Sequence, residues 1–279
     1  MDQFRRTLIV ALVLVGATPV LRGQQAAPPP TVTLSAKEMD VFLRTAKITK
    51  KSFVGNGVTD TRRATLSDGH VTHDAQIQTV DVSELVFEAG GATELNFKDT
   101  YRYNIGAYRL AVLLGMTNVP MSVKRRVDGK DAAITWWIDD VQFDEHGRLK
   151  LAAKDKDGPN PERTSKQTFD RLLFDELIQN RDRNAGNLLW TKDWTLWLID
   201  HTRAFRLGTT LLKPEQLTRV NRALLASIRT LTLDQMKTGI GDVLTKQEMT
   251  AVLVRRDLLV KWFEDRVARF GEAAVLFTM

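Results

Sequence analysis

Arg181-Asp182-Arg183-Asn184-Ala185-Gly186-Asn187 is a polar turn set between an amphipathic stretch and two short apolar runs. Upstream, Phe169, Leu172, Leu173 and Leu177 recur at helical spacing, and the helix they predict stops near Asn180. Downstream, residues 188–191 and 196–200 read as a hairpin closed across Lys192-Asp193-Trp194, its second strand ending on Asp200. Helix, Asp-x-x-x-x-Asn loop, hairpin and terminal Asp would gather two carboxylates and an amide oxygen. Phosphoryl transfer needs that inventory: a carboxylate to position or accept the proton of an attacking hydroxyl, and hard oxygen donors for the divalent ions that neutralise phosphate charge. On this reading Asp182 is the base and Asn187 and Asp200 are metal ligands, suited to Mg or Mn rather than Zn. Asp and Asn in such a turn also serve as caps; the order of elements around the turn is what favours the chemical reading.

Working back from the turn, residues 144–164 are polar and rich in Lys, Asp, Gly and Pro, and read as a connection or surface excursion. Before them, residues 121–126 and 132–138 flank Asp128-Gly129, a strong hairpin signal. Residues 101–114 predict a helix, with Ile105, Tyr108 and Val112 on one side and Gly115 as its stop. Residues 48–86 predict short strands, among them 64–66 and 75–80, with turns at Gly55-Asn56-Gly57 and Ser67-Asp68-Gly69. Ser35 caps a short helix over 37–46. Beyond the hairpin the chain is predicted helical, with Pro214 near a helix start, helices over 217–228 and 246–270, and a Thr245/Glu248 capping box on the last. The class is α+β: an antiparallel-sheet N-lobe over 35–141, an excursion over 142–165, and a mainly helical C-lobe over 166–279.

The first residues differ from the rest. Arg5 and Arg6 precede an apolar run over 8–21, the pattern of a secretory signal, so residues 1–23 read as a signal peptide and 24–34 as a Pro-rich tether. The run is shorter than a membrane span needs, so no stable span is expected after cleavage and the domain is expected outside the cytoplasm, periplasmic or extracellular. There is no cysteine, which excludes disulfides, thiolate metal sites and a cysteine nucleophile. The formal charge of +6 is spread along the chain among 34 acidic residues, so it does not argue for nucleic acid. His70, His73, His146 and His201 form no metal motif, and the tryptophans are expected to pack rather than stack on a ligand.

The turn, together with Leu198-Ile199-Asp200-His201-Thr202-Arg203-Ala204-Phe205, resembles the atypical kinases: the phosphatidylinositol 3- and 4-kinases, the HipA-like toxin kinases and the secretory-pathway kinases of extracellular proteins. The likeness runs from about Gly55 to Phe205. It implies a two-lobed protein-kinase-like fold and a phosphotransferase that takes ATP as substrate and acts on a protein or lipid hydroxyl. It further implies that residues 55–59, with Gly55 and Gly57, cover the phosphates, and that residues 136–140, with Trp137 and Ile138, face the base. Two positions depart from the pattern. An active kinase pairs a strand lysine with a helix glutamate, whereas the corresponding positions here are Gln78 and Asn104. An amide pair can satisfy itself by hydrogen bonds where a lone buried charge cannot. Three outcomes stay open: a replacement cation from Lys98 or Arg109, an unusual nucleotide pose, or a pseudokinase serving as a nucleotide-binding or scaffold module.

Overall fold

The computed structural model describes residues 34–53, 61–89, 92–152 and 160–279, which form one compact unit. The signal-peptide reading, all but the last residue of the tether, and the Gly55/Gly57 turn lie outside the described residues.

Ser35 opens α1 (Ala36–Thr45) with a reciprocal capping box to Glu38. Five antiparallel strands follow in the order β1-β2-β3-β7-β6: β1 (Lys47–Phe53), β2 (Arg62–Ser67), β3 (Thr72–Gln78), and the pair β6 (Ser122–Val127) and β7 (Lys130–Trp136). Between β3 and β6 the chain makes a separate ribbon, β4 (Asp81–Ala89) and β5 (Ala92–Thr100), then α2 (Arg102–Leu113). Asp128 and Gly129 both take positive φ, 50° and 79°, as the turn between β6 and β7 requires.

Alternation gives the sheet two different faces. Ala64, Leu66, Ala75, Ile77 and Ile134 are buried against Phe42 and Leu43 of α1. The register therefore sends Arg63, Thr65, Asp74, Gln76, Gln78 and Thr135 to the opposite face, toward α2.

Past β7, β8 (Val141–Asp144) leads into α3 (Glu145–Ala152), and α4 (Pro161–Ile178) starts earlier than its apolar spacing suggested. The stretch 144–164, read as a connection or surface excursion, thus contains α3 and the first turn of α4. Asp144 accepts from the Gly147 amide, and Asn160 caps a helix whose first residue is Pro161, so local capping builds helix where composition suggested loop. The hairpin β9 (Leu188–Thr191) and β10 (Leu196–Leu198) extends β8 into a three-stranded sheet.

The rest comprises β11 (Val220–Asn221), α5 (Arg222–Thr230), α6 (Leu233–Ile240), α7 (Lys246–Phe270), α8 (Glu272–Val275) and β12 (Leu276–Phe277). The predicted helix over 217–228 thus begins five residues late, because Asn221 supplies the cap and Val220 pairs with β12. Among the described residues no helix is long and apolar enough to cross a membrane.

One large core joins α2 to α4, α5, α6 and α7. Gly106 permits the close approach, since a Cβ there would stand 3.3 Å from both Leu244 and Phe205. Trp190 is buried near Trp194, and the partly buried Trp136 stacks on His73.

Candidate functional site

The loop after α4 is held by its arginine. Gln179 ends the helix in the left-handed region, and the Asn180 side chain accepts from the Asp182 amide, turning the chain back. Arg183, its side chain only 6% exposed, donates through Nε and Nη2 to Asp175 at 3.0–3.1 Å. Its Nη1 donates to the carbonyls of Asn187 (3.1 Å) and Ile199 (2.6 Å). The Ile199 amide donates to the Asn187 carbonyl, and Asn187 Nδ2 to the Asp182 carbonyl. One buried guanidinium thus ties the loop to the end of β10 and gathers Asp182, Asn187 and Asp200. The sequence reading quoted Arg183 without giving it this role; the signal was an Arg beside an Asp in a loop that must be pinned at both ends.

Asp200 takes φ 52°, a conformation Asp and Asn tolerate better than most residues. Its Oδ1 accepts from the amide and hydroxyl of Thr202. Burial pushes its carboxyl above the usual range against those two hydrogen bonds, and the charges of Asp99 and Asp182 push it the same way.

Gln78 and Asn104 meet. Asn104 Oδ1 accepts from the amide of His201, the residue after Asp200, at 2.7 Å, and that donor fixes the orientation of the amide. Asn104 Nδ2 therefore donates to Gln78 Oε1 at 2.5 Å. Gln78 Nε2 is left buried with no partner. Asn104 thus bridges the last residue of β3 to the segment carrying Asp200. Around Gln78 the α2-facing side of the sheet is polar: Arg63 pairs with Asp74 and stacks 4.4 Å from the Trp137 ring, and Thr65 donates to Asp74. Trp137 continues the sheet by one bond, its amide donating to the Asp74 carbonyl, and Ile138 is buried.

Neither expected replacement cation reaches this pair. Lys98 donates to Glu248, a capping-box residue of α7 that also accepts from Tyr103, and Arg109 pairs with Asp242. Both tie the α2 region to the C-terminal helices. The basic side chain paired with Asp182, among the described residues, is Arg203, which sequence reasoning passed over.

The residues fit a divalent ion held mainly by phosphates. No group of three or more His, Asp or Glu able to hold a metal occurs among the described residues, but Mg²⁺ typically takes one or two carboxylates and completes its shell with water and phosphate. Asp200, desolvated among acids, and the amide oxygen of Asn187 suit that role.

A separate cavity of about 460 Å³ lies where Asn118, Gln167, Asp170, Asn221 and Ser227 meet. Asp170 accepts from Asn221 through one oxygen, its other oxygen has no partner, and burial pushes it up to about 6. Since that value exceeds the ordinary 3.8, the unfolded chain releases this proton first, and stability falls as pH rises from about 4 to 6. Asp170→Asn is expected to stabilise the protein at pH 7.5 by about 2 kcal/mol, allowing for partial exposure. Urea melts should show the gain vanish near pH 4.

No family model and no curated protein sequence matches the chain. Solved structures do. The Golgi casein kinase matches with a TM-score of 0.59 at 14% identity, over 86% of this chain and 76% of that one. The Helicobacter pylori proinflammatory kinase CtkA matches with a TM-score of 0.50 at 10% identity, over 83% of this chain and 95% of that one. With its antiparallel N-terminal sheet and helical C-terminal region, the chain has an α+β, kinase-like fold similar to that of these two proteins.

Proposed function

We propose that the chain is a phosphotransferase that uses ATP and a divalent ion, Mg or Mn, to phosphorylate a hydroxyl on a protein or lipid. The observation that carries this reading is the convergence, through Arg183, of Asp182, Asn187 and Asp200, with Asp200 partly buried near two other carboxylates. Asp182, about half exposed, orients the acceptor hydroxyl and takes its proton as the new P–O bond forms and the bond to the nucleoside diphosphate breaks. Asn187 and Asp200 hold the ion, which when bound supplies the positive charge that phosphate requires. Both structural neighbours are kinases by name, which supports this class. Read with the signal-like residues 1–23, the activity is periplasmic or extracellular.

A second reading is favoured by one contact. The Gln78–Asn104 hydrogen bond replaces an ion pair with a neutral one, which suits a pseudokinase that binds nucleotide without turning it over. Thermal shifts with ATP and ADP, with and without Mg or Mn, and transfer of labelled γ-phosphate to a mixed protein substrate or to lipid vesicles separate the two. The transferase reading expects a metal-dependent shift and label on the acceptor. A shift without label under every metal and acceptor favours the pseudokinase. No shift with any nucleotide removes both readings.

A further inference from the structure

Arg203 stands where the acidic groups of the cleft converge. Its Nη1 lies 3.8 Å from Asp182 Oδ2, its Nε donates to Asp99 Oδ2 at 3.2 Å, and its guanidinium sits 5.0 Å from the Phe97 ring. About a third of the side chain is exposed, so it is neither sealed in the core nor free in solvent.

The other nearby arginines are placed differently. Arg183 is spent on Asp175 and two carbonyls, Arg206 is buried against Glu94 at 3.1 Å with its Nε and Nη1 unpartnered, and Arg181, half exposed, lies 3.9 Å from the same Glu94. Asp99 is buried, and its Oδ1 has no partner. It lies at the root of the β4–β5 ribbon, where the Thr100 amide donates to the Thr202 carbonyl, so Asp99 is anchored against the segment that carries Arg203.

Arg203 pairs with two carboxylates, Asp99 and Asp182, which also bear on Asp200, so this end of the cleft is short of positive charge, and Gln78 supplies none. A polyphosphate entering beside Asp200 needs compensation beyond what a divalent ion gives, and a planar guanidinium with several donors matches phosphate oxygens.

We infer that Arg203 is the phosphate-binding cation of this cleft, taking the place of the missing strand lysine, and that Asp99 holds it in reserve when no nucleotide is present. The inference rests on the phosphotransferase reading, or at least on nucleotide binding. It names a residue from the segment after Asp200 rather than from the sheet, and it gives the ribbon a role: its root sets how freely the arginine turns toward phosphate.

Isothermal titration with adenosine, AMP, ADP and ATP in Mn²⁺ tests it, on the wild type and on Arg203→Ala, Arg203→Lys and Asp99→Asn. Arg203→Ala should weaken ATP binding about tenfold or more while moving adenosine less than about twofold. Arg203→Lys, with the charge but not the fork, should fall between. Asp99→Asn removes the competing carboxylate and should tighten ATP binding, a change opposite in sign to what a merely structural contact would produce. Arg203→Ala binding ATP as the wild type does, equal losses for adenosine and ATP, or weaker ATP binding by Asp99→Asn would each overturn the inference while the phosphotransferase reading stands. A wild type that binds no nucleotide overturns both. If Arg203→Ala fails to fold, Arg203→Lys and Asp99→Asn decide by the same criteria.

Discussion

Asp200→Asn is expected to lower metal-dependent phosphoryl transfer by about 10³-fold or more while making the nucleotide-free protein more stable. The two changes have one cause. The Asp200 carboxyl is largely desolvated, and Asp99 and Asp182 add like charge, so its folded-state pKa lies above the usual value of 3.8. With the folded-state value raised, ionisation opposes folding at neutral pH, and that opposition disappears in acid once the group is protonated in both states. An amide removes the desolvated charge and keeps an oxygen for the Thr202 amide and hydroxyl. It also tolerates φ 52°, which alanine does not, so Asn separates chemistry from folding where Ala would confuse them. Thermal melts with and without Mn²⁺, beside a label-transfer assay, check both halves. A metal-induced shift that survives in Asp200→Asn would show that the ion is held elsewhere.

The second large effect is expected at the amide pair. Gln78→Lys alone would put an ammonium at a position 1% exposed, facing an amide whose oxygen already serves the His201 amide. An uncompensated buried charge of this kind costs about 3 kcal/mol. Gln78→Lys combined with Asn104→Glu should recover most of that loss, because the carboxylate pairs with the new lysine and still offers an oxygen to His201. Urea midpoints of the two singles and the double close a mutant cycle, and the coupling should be strongly favourable. Additive effects would mean that the two positions do not act as a pair, despite the 2.5 Å hydrogen bond.

Much of this could be read before any fold was in hand, wherever a local rule applied. Asp128-Gly129 demands a turn with positive φ, Thr245 and Glu248 cap each other three residues apart, and Ile105 and Tyr108 carry the helical repeat of α2, although Val112, read onto the same side, is 56% exposed. Asp182, Asn187 and Asp200 were visible because eighteen residues and a two-strand hairpin bring them together without help from distant parts of the chain. The reading did not foresee helix where caps outweighed composition, at Glu145–Ala152 and at the start of α4. It missed the length of the ribbon Asp81–Thr100, whose apolar residues are largely exposed and so leave a weak pattern: Leu85 is 81% exposed and Leu95 67%.

The loop motif, the strand that ends on Asp200 and the amides at positions 78 and 104 were therefore determined by the sequence alone, since each depends on residue type and short spacing. Which cations serve the cleft was decided only by the tertiary structure. Lys98 lies just before α2 and Arg109 within it, yet they are drawn to Glu248 and Asp242, 150 and 133 positions away, while Arg203 meets Asp99 across 104. The physical reason is that an ion pair depends on distance in space and on desolvation, and neither is written in the order of residues along the chain.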